Sequence, residues 1–463
     1  MRLIACGAAA VVFLASTARA QDQPTEIRAL AAALADERAR IAELKAELER
    51  RTTALADLAS RLERVAPTAA PLPQPAPPVE QAMTASPAVP APSAPAVPRF
   101  DFYGDSKVRY ETLTQDYAGC VGCPNRKRGR LRLRLGVVGQ LSPNFTAAMG
   151  FSVGELNDPN SVYVNFGNKF GRKVATWDRG YVEYHPVKAP WLDLTAGKFP
   201  YNWVRSSMVF DVDFYPEGVS EKLSFPLKRA GPLKNVGVQG FQLLVAEQAG
   251  DLHTKMIGEQ VTGSFRVNDR ISTLLAAAAV DITRPDPLLR ALLDGSDVGV
   301  RNTNAVVLRN GQAFYASGFR YANLIVENAV RTASAKWPVI VALEYQRNLE
   351  AASTRDSARS FRVDVGRAQQ RGDWGLSWHI FRVEQDAILA AFGESDWRAP
   401  SNVLQQRFEV NRVMNRNVQL GVTLYRGRTL DGTLPAALLA PNLPPSVADP
   451  WTNRFYFDVT YRY

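Results

Sequence analysis

The sequence predicts an all-β fold, a 16-stranded antiparallel transmembrane β-barrel preceded by an α-helical coiled coil and a proline-rich linker. Three observations carry this expectation. Segments of roughly ten residues with an apolar side chain at every second position recur from Phe100 to the end, the period of a strand with one apolar face. The connections between them alternate between short turns and long polar loops, as membrane-crossing strands do when one rim carries turns and the other carries loops. Beyond the first twenty residues, no stretch approaches the roughly 18 apolar residues of a membrane helix. The best, Leu274 to Val280, is far too short, so a membrane location requires a closed barrel.

Taken in order, Met1 to Ala20 has the form of an export signal: Arg2, an apolar core from Leu3 to Ala15, and an Ala18-Arg19-Ala20 cleavage site. A competing lipoprotein box, Leu3-Ile4-Ala5-Cys6, would leave almost no apolar segment ahead of the cut. Residues 21–65 read as a coiled coil. Ile27, Leu34, Ile41, Leu48, Leu55 and Leu62 recur every seven residues, with Leu30, Leu44, Leu58 and Val65 in the second seam position and Glu37 and Arg51 as its only breaks. Such a rod is about 58 Å long. A seam so regular predicts oligomers, and beside a barrel a homo-trimer is the expectation, although the seam residues suit several stoichiometries. Residues 66–98 hold eleven prolines among Ala, Val and Ser, a linker with no means of forming a core. Fully extended it spans on the order of 100 Å, enough to carry the coiled coil through a periplasm toward the cell wall.

The barrel is expected over 99–463. Short turns fall at Leu141-Ser142-Pro143-Asn144, around His185 to Pro190, at Arg229 to Lys234, at Asn268-Asp269, around Thr332 to Lys336, at Ala368 to Gly372 and at Met414 to Asn417. Long connections fall at about 113–127, 155–173, 200–218, 247–254, 283–314, 348–357, 385–402 and 429–450. Seven turns and eight loops join sixteen strands, the weakest being Val219 to Leu227. Arg128 to Gln140 shows the two-faced pattern best: Leu131, Leu133, Leu135 and Val137 point one way, and Arg130, Arg132 and Arg134 the other. Alone, that strand would better suit a soluble sheet with its arginines in water. In the final segment Phe455, Phe457, Val459, Tyr461 and Tyr463 alternate with Tyr456, Asp458, Thr460 and Arg462, the expected aromatic end of such a barrel.

The formal charge is +10, and residues from 100 onward account for +9 of it. The basic excess alternates along strands instead of clustering on one exposed helix, which argues against nucleic acid as a partner. Cys120 and Cys123 stand in C-x-x-C spacing without a second cysteine pair or a nearby His, so no metal site is expected and a small loop disulfide is. The three histidines, His185, His253 and His379, have no Ser or carboxylate at a recognisable catalytic spacing, and neither an enzyme nor a cofactor is expected.

Three stretches resemble the putative porin family of Gram-negative outer membranes, over about residues 27 to 463. They are Thr195 to Pro200 with Phe210-Asp211-Val212-Asp213 and Pro216-Glu217-Gly218-Val219; Pro338 to Asn348; and Gly372-Asp373-Trp374 with Val383-Glu384-Gln385-Asp386-Ala387 and Ser395-Asp396. Where the family usually continues with Asn-Pro-Phe, Tyr201-Asn202-Trp203 stands instead. The resemblance implies an outer-membrane porin passing small hydrophilic solutes, with the N-terminal arm in the periplasm.

The residues expected to line its pore are Lys107, Arg109, Arg130, Arg132, Arg134, Arg266, Arg362, Arg407, Arg454 and Arg462, balanced in part by Asp364, Glu409 and Asp458. Arginines in a lumen attract anions, so anionic solutes are the expected cargo and outer-membrane lipid the surroundings. The loop carrying Asp211, Asp213 and Glu217 is expected to fold inward and set acids opposite arginines; a second possibility is that these acids bind loop backbone or a divalent ion. Asp386 and Asp396 are expected to brace an outer loop or bind a cation. The alternative function is structural, tying the outer membrane to the cell wall through the coiled coil.

Overall fold

The computed structural model describes residues 99–115, 125–154, 158–167, 169–227, 231–248, 252–294, 302–432 and 451–463, with Ala46, Arg50 and Thr53. The chain divides into two compact units, Met1–Ala91 and Pro92–Tyr463. In the first, the three described residues are helical, and Arg50 Nε donates to the Ala46 carbonyl oxygen at 3.3 Å. The export signal, the rest of the heptad segment, the proline-rich linker and the Cys120/Cys123 pair lie outside the described residues.

The second unit is a 16-stranded antiparallel barrel. Its strands are β1 (Arg99–Gln115), β2 (Arg126–Ser142), β3 (Phe145–Val153), β4 (Ala175–Tyr184), β5 (Leu192–Lys198), β6 (Glu217–Pro226), β7 (Leu233–Ala246) and β8 (Thr254–Arg266), then β9 (Ile271–Thr283), β10 (Phe319–Val330), β11 (Val339–Asn348), β12 (Ser357–Gly366), β13 (Trp374–Val383), β14 (Val403–Val413), β15 (Val418–Thr429) and β16 (Thr452–Arg462). Each pairs with its sequence neighbour, and β1 also pairs with β16 in the register Arg109↔Asp458, so the sheet has no free edge. The weakest expected strand is present as β6.

Turn chemistry explains the short rim. Asn268 Oδ1 accepts from the Arg270 and Ile271 amides, both at 2.9 Å, and Asn415 Oδ1 accepts from Asn417 and Val418 at 2.9 and 2.8 Å. Both are Asx turns, in which the side chain stands in for a backbone acceptor. The long rim holds more structure than its polar sequence suggested. In the fifth loop α1 (Asp286–Leu293) and a hairpin of Val306–Arg309 with Gln312–Tyr315 are ordered. Pro285 and Pro287 pre-set the first turn of α1, and Leu288 and Leu289 bury its inner face.

Outward side chains are apolar and exposed, among them Leu135, Leu343, Trp378, Val422 and Phe457, the surface a barrel offers to lipid. The apolar core lies on the inside, toward the loop end. Inward residues of β7 to β14, including Phe241, Met256, Phe319, Tyr321, Phe381 and Val403, pack against Trp203, Met208 and Phe210 of the third loop and Ile388, Phe392 and Trp397 of the seventh. Trp203 stacks on Phe241 at 4.2 Å between centroids, and Trp397 lies 4.2 Å from Phe381.

Candidate functional site

The third loop, 199–216, enters the barrel because its two roots are glycines. Gly197 and Gly218 are direct partners across β5 and β6, with φ of 123° and 152°. A Cβ on Gly197 would meet the Gly180 carbonyl oxygen at 2.3 Å, and one on Gly218 the Gln242 carbonyl oxygen at 2.1 Å. Only glycine fits either place.

From that root the loop crosses the lumen. At one end Asp213 Oδ1 accepts from Arg134 of β2 at 2.9 Å. Midway, the Gln260 side chain of β8 clamps the Val204 peptide with two bonds of 2.8 Å. At the far end Ser206 Oγ donates to Glu344 of β11. The seventh loop, 384–402, braces it: Asp211 N donates to Phe392 O at 2.8 Å and Asp211 Oδ2 accepts from Ser395 N at 2.7 Å.

The inner wall of β1, β2 and β16 carries the densest charge. Arg109 binds Asp458 through two bonds of 2.8 and 3.0 Å, the strongest geometry a guanidinium offers a carboxylate, and reaches Asp396 of the seventh loop at 3.3 Å. Lys107 lies 3.7 Å from Asp458. Arg128 and Arg130 share Glu111 at 2.8 and 3.4 Å, Arg132 holds Asp105 at 2.8 Å, and Arg454 approaches Asp396 at 3.5 Å. Arg134 also stands 3.8 Å from Asp178. Above them, Tyr163 of the second loop lies 4.4, 4.8 and 5.6 Å from the Arg109, Arg130 and Arg132 guanidinium carbons. Tyr456 takes the other face of Arg109 at 3.8 Å, within cation–π reach.

Eight of the ten expected pore residues thus stand on the inner wall. Six are in this cluster. Arg362 lies between Glu327 and Asp364, and Arg407 beside Glu409 at 3.8 Å. Arg266 and Arg462 have lumen parity but end their strands at the turn rim, exposed and apart from the cluster.

The loop acids divide. Asp213 meets an arginine, Asp211 is fully buried and spends its oxygens on backbone amides of Asp213 and Ser395, and Glu217 begins β6, exposed and paired with Lys198 at 2.7 Å. Only one of the three therefore stands opposite an arginine. The wall's own carboxylates, Asp105, Glu111 and Asp458, interleave with the cations instead of facing them across the lumen. Of the outer-loop pair, Asp386 braces its loop through Ala305 N and Ser317 Oγ at 3.0 and 2.9 Å.

Sequence reading did not find Glu111, Asp105, Asp178 or Tyr163 as site residues. Glu111 and Asp105 share the inward parity of Lys107 and Arg109, which is the signal that would have found them. Tyr163 left none, since its loop has no periodicity.

Ionisation in the loops follows burial. The Asp211 carboxyl is pushed well above the usual range by burial, with Glu394 and Asp213 adding to it. Burial, with Asp396 and Asp213, pushes Glu394 up to about 7. Asp396 is partly buried, which raises it, yet Arg109, Arg454 and Arg130 hold it down at about 2.

A closed barrel with an apolar outer wall, a charged inner wall and a loop crossing its lumen has the architecture of a membrane-spanning β-barrel with a polar interior. Residues 122–281 match the family described as "Putative porin". None of the curated proteins compared with the chain matches it. Solved structures similar to it include Salmonella typhi OmpF in complex with daunomycin, at 10% identity over 79% of this chain and 97% of that one with a TM-score of 0.45. A mutant of the Rh. blastica porin is similar at 9% identity, 79% and 100% coverage and a TM-score of 0.42. A loop-deletion mutant of OmpT from Vibrio cholerae stands at 6%, 79%, 99% and 0.43.

Proposed function

We propose that the chain is a general-diffusion porin for small hydrophilic solutes, with a modest preference for anions. The observation that carries this reading is the third loop crossing the lumen from Arg134 to Glu344, which narrows the passage and leaves its solutes beside the wall of β1, β2 and β16. Among the described residues of that wall seven cations, Lys107, Arg109, Arg128, Arg130, Arg132, Arg134 and Arg454, meet six carboxylates, Asp105, Glu111, Asp178, Asp213, Asp396 and Asp458. These ion-paired groups leave one positive charge in excess, and Arg179, over the Tyr103 and Tyr215 rings at 4.8 and 5.3 Å, adds a second, so the field favours anions weakly.

Planar-bilayer recording of the purified protein tests both parts. Stepwise conductance with a reversal potential favouring chloride over potassium is expected, and a silent barrel sinks the reading. Replacing Arg130, Arg132 and Arg134 by Ser leaves five cations, Arg179 included, facing the same six carboxylates, and selectivity should invert toward potassium.

The heptad seam of residues 27–65 favours a second, compatible role: an arm in the periplasm that joins three copies and contacts the cell wall. Equal cell-wall retention of the mature protein and of a chain lacking residues 21–98 would remove it.

A further inference from the structure

The outer wall carries a second set of arginines, and it is confined to one sector. On β11 the outward residues run Val339, Val341, Leu343, Tyr345 and then Arg347. On β13 they run Trp374, Leu376, Trp378, Ile380 and then Arg382, and on β15 Val418, Leu420, Val422, Leu424 and then Arg426 and Arg428. β12 descends the other way, from Arg359 to Phe361, Val363 and Val365. On each of these four strands the first outward residue beyond the apolar run, on the loop side, is an arginine. At strand rise the longer of these runs cover about 20 Å along the strand, most of an apolar band about 25 Å tall, so the guanidiniums sit at its loop-side edge, at headgroup level in the outer leaflet. At the corresponding loop-side ends of β1, β3, β4 and β6, the exposed outward residues include Tyr110, Phe151, Trp177 and Val219, and no arginine stands among the described ones there.

Arg347 pairs with Asp356 at 2.9 Å, but the other outer arginines are poorly served by the protein itself. Arg359 and Arg382 are direct cross-strand partners, a placement that is destabilising for like charges. Arg382 has Glu384 at 2.7 Å. Arg359, Arg426 and Arg428 have no carboxylate within ion-pair distance among the described residues. The last two lie over the Trp451 ring at 4.8 and 5.5 Å, and Arg359 over Tyr345 at 5.7 Å.

Arg382 and Arg428 both register with Leu404 of β14, which sets their strands about 10 Å apart. We propose that this sector binds a lipid headgroup carrying two phosphates about 10 Å apart, one bridging Arg359 and Arg382 and the other held by Arg428. A phosphate accepts from two guanidinium forks at once and relieves the repulsion that the bare pair carries. The aromatic rings beside each arginine suit the same interfacial level.

The test uses the full-length protein in zwitterionic detergent, with native mass spectrometry counting bound diphosphoryl lipid A and monophosphoryl lipid A. Wild type should bind the diphosphoryl form at least tenfold more tightly than R359S/R382S/R428S does. The monophosphoryl form should fall between them, and millimolar inorganic phosphate should not displace the lipid. R359K/R382K/R428K keeps the charge without the forks and should bind with intermediate strength. Heat-modifiable gel migration and unchanged single-channel conductance establish that the variants fold. Equal binding by wild type and a folded Ser variant overturns the proposal, as does equal affinity for the two lipids or displacement by free phosphate.

Discussion

Arginine alternates into both faces of this barrel, and the two faces treat it differently. Inside, Arg109 has Asp458 and Asp396, Arg132 has Asp105, and Arg134 has Asp213 and Asp178. Outside, Arg359, Arg426 and Arg428 rest on aromatic rings without a described carboxylate. The inner guanidiniums are fixed by partners the chain supplies, so the wall they form carries a small net charge. The outer ones leave a charge that only something outside the chain can neutralise. Residue type and alternation are shared; the difference lies in which strand neighbour stands opposite.

The comparison breaks hardest where an inner pair is removed. In Asp458→Asn the Arg109 guanidinium, whose side chain is 7% exposed, loses its bidentate partner. Breaking a buried pair costs up to about 3–5 kcal/mol, and Arg109 keeps only Asp396 at 3.3 Å among the described carboxylates, so the unfolding midpoint of the purified barrel should fall further than it does when an exposed pair is lost. Chloride preference in bilayer recordings should rise in the same variant. An unchanged midpoint would mean that the inner wall is solvated in the way the outer arginines are.

Much of this was legible in the residues. The alternation of turns and loops placed all sixteen strands, including the weak β6, because lipid on one side and water on the other impose period two on each of them. Inward cations were legible for the same reason. Their neutralisation was not, since the pairing of Arg109 with Asp458 joins residues 349 positions apart and depends on register between the first and last strands. Loop interiors were the least legible. The apolar residues of the seventh loop, Ile388 to Phe392, read as part of a polar connection, yet they bury against the third loop because the barrel supplies walls that no local pattern announces.

A smaller effect separates pairing from burial. Glu394 in the seventh loop is buried and is pushed up to about 7 from the ordinary value of 4.5, whereas arginines hold the partly buried Asp396 down. Between those two pH values the folded barrel holds a proton that the unfolded chain has released. Stability from this group is therefore fully present below about pH 4.5 and is lost as pH rises to about 7. Asp211 beside it moves in the same direction. Glu394→Gln should flatten the decline in unfolding midpoint between pH 5 and pH 8, and Glu394→Gln with Asp211→Asn should flatten it further. An identical slope in all three proteins would place the titrating group elsewhere.

The finest distinction is between two neighbours on the outer wall, and it concerns sign more than size. Arg347 pairs with Asp356 at 2.9 Å, but its side chain is 56% exposed, and exposed pairs of this kind contribute little. Arg347→Ser in lipid-free detergent should leave the unfolding midpoint where it was. Arg359→Ser, two strand positions into the adjoining strand, deletes one member of the opposed Arg359–Arg382 pair. With no phosphate present it should stabilise the barrel slightly, by about 0.3 kcal/mol. Adding diphosphoryl lipid A should reverse the order, raising the midpoint of wild type above that of Arg359→Ser while lifting wild type and Arg347→Ser together. A loss of stability in Arg359→Ser without lipid would show that Arg359 is already paired within the chain, and the contrast between the two faces of the barrel would close.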